Sequence, residues 1–230
     1  MLRVGVIGCG GMGRDHIRRL TEKIQGAEVV AVSDVFEESA RKAAEICGAK
    51  VYADSKELIN AENVDAVFIV SPGFAHVDSL LQAIEAGKRI FCEKPLCTTA
   101  EDCLKVVKAE EAAGKHLIQL GFMRRYDKGY QQIKEALATG QYGEPLILHC
   151  THRNPEVGTN YNTPMAVHDT AIHEIDVIHW LVGDDFVSAQ VLLPRVTKYS
   201  HAKLQDPQIM LLRTKNGICV DDEVFVNCKF

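Results

Sequence analysis

The sequence predicts an α/β protein in which an N-terminal doubly wound parallel sheet is followed by a smaller α+β domain. Three observations carry that expectation. Over the first 120 residues, short β-branched runs alternate with helical stretches across brief connections. A glycine-rich turn, "GCGGMG", follows the first of those runs directly. Beyond about residue 122 the alternation stops, and strands dominate after one long helical pattern. The expected domains are therefore 1–122 and 123–230, packed together without a low-complexity linker.

The strand-like runs of the first part are "RVGVIG", "EVVAVSD", "AVFIVS", "RIFCE" and "HLIQLGF". Their near-continuous apolar character suits strands buried on both faces of a parallel sheet. Helical stretches lie between them near 12–24, 36–47, 74–86 and 99–113, the last opening with the cap and first-turn acids of "TTAED". The second part reads as a helix near 126–139, the strand "PLILHCTHR", the polar loop "NPEVGTNYNT", a helix over 167–182 and then several strands. Its sheet is expected to be open and largely antiparallel. Asn216-Gly217 signals a hairpin, followed by an apolar strand still running at Phe230. With nothing to cover that strand, the chain reads as a fragment whose last strand is an exposed edge, prone to aggregate and of doubtful activity by itself.

Composition narrows the function. The 230 residues carry a net charge of −5 with both signs interspersed, so no basic field invites nucleic acid. No apolar run reaches the length of a membrane span, and the start is a strand and a glycine turn, so a soluble, cytoplasmic protein is expected. The eight cysteines are scattered without a C-x-x-C pair and read as reduced thiols. "HCTH" at 149–152 brings possible ligands together, but strand alternation turns His149 and Thr151 away from Cys150 and His152, so no metal is expected there.

Residues 167–180, "VHDTAIHEIDVIHW", hold three histidines and three acids on an apolar periodicity. Asp169, His173, Asp176 and Trp180 fall in one stripe of an ideal helix, so Asp169 and His173 can touch. His173 and His179 are six apart, on opposite faces, which is not zinc-protease spacing. The segment by itself allows two readings: a carboxylate orienting an imidazole base, or a helix N-cap Asp beside a solvated His. Asp176 and His179 read as surface or packing residues.

Gly8, Gly10 and Gly13, with Gly11 and Met12 between the last two, fit G-x-G-x-x-G directly after a strand. Asp34 ends the next strand about twenty residues on, which completes a dinucleotide-binding fingerprint. Gly8 permits the turn, Gly10 lets backbone approach a pyrophosphate, and Gly13 lets the helix pack against the strand. Asp34 can accept both adenosine ribose hydroxyls and repels a 2′-phosphate, while Val35 offers no cation, so NAD is expected over NADP. "SPGFAH" at 71–76 and "CEKPL" at 92–96 follow strands at the carboxyl edge, where such sheets bind ligands. Ser71, Pro72 and His76 are thus candidate cofactor contacts, as are Glu93 and Lys94. Glu93 and Lys94 also read as a surface ion pair.

Taken together, "GCGGMG", "EKP" and "HDTAIHEIDVIHWL" resemble the family of glucose–fructose oxidoreductase and inositol dehydrogenase. The likeness runs over the whole chain, and "GFMRRYD", "HRNP" and "DTAIHEID" are most similar to its inositol 2-dehydrogenases. The resemblance implies an NAD-dependent oxidoreductase acting on a polyol, myo-inositol above all, and a homotetramer. It implies that Lys94 is the lysine of the EKP motif, with a cis bond to Pro95. Asp169 and His173 are then the catalytic D-x-x-x-H pair, with Arg124, His152, Asn154, Asp169 and His173 lining the substrate pocket. Family members are longer, so about a third is absent.

With a dinucleotide site implied, His173 becomes the expected base, kept neutral by the helix dipole and oriented by Asp169. Lys94 is expected to stabilise the developing alkoxide. The loop region 151–162, with Thr151, His152, Arg153, Asn154, Asn160 and Asn162, offers donors and acceptors that suit a polyol. Another sugar dehydrogenase and a non-catalytic NAD-binding regulator remain as alternatives.

Overall fold

The computed structural model describes residues 1–229, and its chain contacts divide it into two compact units, Met1–Gly121 and Phe122–Phe230. In the first, β1 (Leu2–Ile7), β2 (Ala27–Ser33), β3 (Lys50–Val51), β4 (Ala66–Ile69), β5 (Arg89–Cys92) and β6 (Ile118–Leu120) form one sheet in the order β3-β2-β1-β4-β5-β6. Every pairing is parallel. The connections are α1 (Gly11–Glu22), α2 (Glu37–Cys47), α3 (Ser55–Asn60), α4 (His76–Glu85) and α5 (Ala100–Ala113). Strand order reverses between β1 and β4, the switch point at whose carboxyl ends such sheets bind ligands.

The core of this unit has two parts, one on each face of the sheet. Val4, Val6, Ile17, Leu20 and Val32 pack in one, and Ile7, Leu58, Ile69, Leu80 and Ile90 in the other. β1 therefore buries successive residues on opposite faces, which is why it reads as an unbroken apolar run. The short β3 and α3 are not among the elements expected from sequence. Two residues carry no periodicity, and α3 is a six-residue helix marked only by Asp54, whose Oδ1 accepts from Glu57 N at 2.8 Å.

The second unit holds α6 (Lys128–Ala138), β7 (Ile147–Arg153), α7 (Ile172–Val182), β8 (Phe186–Leu192), β9 (Gln208–Thr214) and β10 (Cys219–Phe225). Its sheet runs β7-β10-β9-β8, with β10 parallel to β7 and the other pairs antiparallel. On α7, Val177, Ile178 and Leu181 pack against Leu212 and Val220 of the sheet. Gly183 closes the helix with φ 66°, a left-handed cap.

The chain's end differs from expectation. Gly217, at φ 91°, makes the hairpin turn, but β10 stops at Phe225 and is an interior strand paired on both sides. The Asp206 carboxylate then accepts from Val226 N at 2.9 Å and Asn227 N at 3.0 Å, turning the backbone out of the sheet. Phe230, where the strand was expected to be still running, lies outside the described residues. Among the described residues the sheet edges are β7 and β8, and exposed apolar residues lie at both, Leu146 and Ile147 at β7 and Val187 and Leu193 on and after β8.

Candidate functional site

In the first unit the glycine turn takes the shape its fingerprint requires. Gly8 has φ 94°, and a Cβ there would lie 2.4 Å from Ser71 N. A Cβ on Gly13 would lie 1.9 Å from Gly8 O, so only glycine lets α1 sit this close to β1. Gly10 and Gly11 face open space, with nothing within 4 Å of an added Cβ. Room beside the N-terminus of a 12-residue helix fits a dinucleotide pyrophosphate, whose charge the unpaired first-turn N–H groups complement. Met12 is exposed beside them.

Asp34 stands at the end of β2, and its carboxylate takes Cys9 N at 2.6 Å and Phe36 N at 2.8 Å. The acid is thus anchored to the glycine turn itself, while Val35 is exposed. Burial, followed by the charge of Asp34, pushes the Cys9 thiol up to about 12, so it stays protonated.

Glu93, at the end of β5, is largely buried rather than on the surface and pairs with His16 of α1: His16 Nε2 lies 2.8 Å from its Oε1. Burial works to raise the Glu93 carboxyl, but the His16 hydrogen bond and charge, together with the backbone bond and charge of Lys94, outweigh it and hold it below its ordinary value. Lys94–Pro95 is a cis bond. His76 is fully buried, with Nε2 2.6 Å from Ser71 O and Nδ1 2.8 Å from Pro95 O. Both ring nitrogens face backbone carbonyls, so His76 ties the Ser71-Pro72 loop to the EKP turn instead of presenting a donor to a cofactor.

In the second unit, a π-helical stretch over Ala166–Ala171 runs straight into α7. Two expectations change with it. Asp169 lies inside the π turn and is not an N-cap, and the wider turn displaces the ideal stripe drawn through it. Helical backbone also begins before α7, so His173 sits more than a turn inside and the dipole acts on it less than expected. His173 is buried, with its ring edge-on to Phe122 at 6.3 Å and stacked near His152 at 6.2 Å.

Around these rings lies a charged cluster that gathers the expected Arg124 and His152 and adds an acid, Glu174, that the sequence does not single out. Glu174 is buried, forms an ion pair with Arg124, and has both carboxylate oxygens 3.1 Å from His152 Nδ1. Burial would raise its carboxyl, yet the His152 hydrogen bond and Arg124 charge hold it low. Asp176, also buried, takes the Arg125 guanidinium, so it is a packing residue within an ion pair. His179 is exposed and meets Asp185 at 3.1 Å. Asp222 of β10, 1% exposed and opposite Cys150 of β7, has no hydrogen bond to either oxygen among the described residues. Burial, then the Glu174 charge, pushes it up to about 7.

The polar loop is only partly gathered. His152 points to the helix-facing side of the sheet, whereas Thr151 and Arg153 alternate to the other side, where Arg153 pairs with Glu223 at 2.7 Å. Asn154 is partly buried just past β7, its backbone bonded to Phe225 O at 3.0 Å and by Cys228 N at 3.0 Å. Asn162 Oδ1 accepts from Met165 N at 3.3 Å, and Asn160 is exposed.

A parallel sheet with this glycine turn and acid defines a dinucleotide-binding Rossmann unit, here joined to an α+β unit with a buried His-Glu-Arg cluster. Residues 2–122 match the family model described as "Oxidoreductase family, NAD-binding Rossmann fold", and residues 130–230 match the "GFO/IDH/MocA C-terminal domain". The chain belongs to the GFO/IDH/MocA oxidoreductase family. It is 54% identical over its whole length to an inositol 2-dehydrogenase/D-chiro-inositol 3-dehydrogenase of Shouchella clausii, covering 67% of that relative. To an inositol 2-dehydrogenase of Burkholderia cenocepacia it is 52% identical, covering 68% of it. Among solved structures, the myo-inositol dehydrogenase of Lactobacillus casei in complex with NAD(H) and myo-inositol matches all of this chain. That match has a TM-score of 0.96 and 45% identity and covers 69% of the solved chain. No helix among the described residues is long and apolar enough to cross a membrane.

Proposed function

We propose that this protein oxidises a secondary hydroxyl of a cyclic polyol, myo-inositol first, with NAD as the acceptor. The observation that carries this reading is the likeness of the whole of this chain to 69% of a dehydrogenase solved with both compounds bound. The polar cluster of Arg124, His152 and Glu174 supports it, since such groups favour a ligand that satisfies them over an apolar one. NAD, when bound, supplies the hydride acceptor. His173 takes the hydroxyl proton, and Asp169, one turn earlier, orients its ring. Lys94 donates to the reacting oxygen as negative charge develops on it. Gly8, Gly10, Gly11, Met12 and Gly13 carry the pyrophosphate and Asp34 the ribose. Ser71, Pro72, Glu93 and Lys94 shape the rest of the cofactor side, with His76 behind them, and Arg124, His152 and Asn154 bind substrate hydroxyls.

In this reading residues 1–122 form the dinucleotide-binding domain and 123–230 the substrate and oligomerisation domain. Exposed apolar residues around β8 support a homo-oligomer, a tetramer by resemblance, and eight free cysteines suit the reducing cytoplasm. Steady-state NADH production across inositol isomers and aldoses tests the function. Highest kcat/KM on an inositol is expected, and preference for an aldose would shift the reading to another sugar dehydrogenase of the family.

A further inference from the structure

Glu174 has no part in the proton transfer described above, yet it engages two side chains of the second unit, Arg124 and His152. Its side chain is 4% exposed, and a carboxylate so buried persists only where cations and donors surround it. It has both, from Arg124 and from His152. Those two partners also meet each other, with Arg124 Nη2 3.4 Å from His152 Nδ1. Nδ1 therefore faces a choice. It can carry the proton and donate to Glu174, or be bare and accept from Arg124.

The geometry decides for Glu174. Two carboxylate oxygens stand at 3.1 Å against a single guanidinium nitrogen at 3.4 Å, and a charge-assisted donation to carboxylate is the stronger bond. With the proton on Nδ1, the neutral ring has its lone pair on Nε2. That makes His152 an acceptor, stacked 6.2 Å from His173.

We propose that Glu174 is a positioning residue for polyol recognition, fixing His152 as the Nδ1–H tautomer so that Nε2 accepts from a substrate hydroxyl while the adjoining Arg124 donates to one. The substrate half of this assignment rests on the polyol reading of the site; the tautomer does not. Besides Arg124 and His173, the titratable groups around the pair are Cys150 on the same strand and Asp222 on β10. The Cys150 thiol is pushed up to about 11 by burial and stays protonated, and neither of these two is hydrogen-bonded to His152.

Histidine-labelled protein examined by ¹⁵N NMR at mildly alkaline pH, with His152→Gln to assign the signal, reads the tautomer without substrate. The wild type should show Nδ1–H. In Glu174→Gln the neutral amide no longer outcompetes Arg124, and the Nε2–H form should become populated. KM for inositol should then rise tenfold to a hundredfold, with kcat and KM for NAD changed less than about threefold, and Glu174→Asp should recover part of the loss. A wild-type ring that is Nε2–H or doubly protonated overturns the proposal, as does a tautomer unchanged in Glu174→Gln. If the wild type reduces NAD with no polyol, the functional reading fails, while the tautomer measurement still decides the role of Glu174 toward His152.

Discussion

His16 on α1 and Glu93 at the end of β5 are joined by a 2.8 Å bond, so the helix that opens at the glycine turn is tied to the residue preceding Lys94. The His16 ring is wedged edge-on against Phe91 at 5.2 Å and Phe68 at 5.9 Å, which themselves stack at 4.6 Å. His16→Ala should remove the bond and this packing, leaving a half-buried carboxylate short of a donor. The expected cost is about 1–3 kcal/mol of stability, with KM for NAD raised several-fold. Thermal denaturation with and without NAD checks it, and an unchanged midpoint would show that the bond does not hold the EKP turn.

The glycines of the turn should separate by mechanism. Gly13→Ala places a methyl 1.9 Å from Gly8 O, so the helix must move, at a cost of roughly 2–4 kcal/mol. Gly10→Ala meets nothing within 4 Å in the protein and should leave the melting temperature within a few degrees. Its methyl instead occupies the space through which backbone reaches a phosphate, so NAD affinity should fall at least tenfold. Calorimetry of both variants, with NAD titration, distinguishes the two.

Asp222 should make stability depend on pH. Its folded value of about 7 lies above the ordinary carboxylate range because burial disfavours the charge. Between those two values the folded state holds the proton more tightly than the unfolded chain, so stability falls as pH rises from about 4 to 7. The loss is complete above that window. Asp222→Asn should therefore stabilise the protein at pH 8, by about 1–3 kcal/mol, and should flatten the decline seen in wild type. Denaturant titrations at pH 5, 6.5 and 8 measure the difference, and a parallel decline in both proteins would rule out this origin.

Much of the first unit is legible in the sequence because each signal there is local. The glycine spacing, Asp34 at the next strand end and the buried apolar runs are read within short windows. β3 and α3 are too short to show a period. The second unit's cluster is less legible because its partners are distant in sequence. Glu174 meets Arg124 and His152 fifty and twenty-two positions away, and no spacing rule joins an acid on a helix to a histidine on a strand. The π turn before α7 leaves no mark in the apolar pattern, so the ideal stripe drawn through Asp169 could not foresee it. The last strand misleads for a related reason: an apolar run at a chain end does not say whether two neighbours flank it.

Cofactor choice should follow Asp34. Its carboxylate is anchored by Cys9 N and Phe36 N, so it is held in place before NAD arrives and opposes a 2′-phosphate there. Asp34→Ala combined with Val35→Arg should shift the NAD to NADP ratio of kcat/KM by a hundredfold or more toward NADP. Wild type favouring NADP would contradict the assignment.

The central claim is that hydride leaves a polyol carbon for NAD while His173 takes the hydroxyl proton. Mass analysis of the NADH formed from myo-inositol deuterated at its ring carbons, followed over time for wild type and His173→Ala, tests it most directly. The account predicts one deuterium on the nicotinamide of each NADH from wild type. His173→Ala should form the same product about 10²–10⁴-fold more slowly, with NAD affinity little changed. NADH without deuterium, or a near-normal rate in His173→Ala, would contradict it.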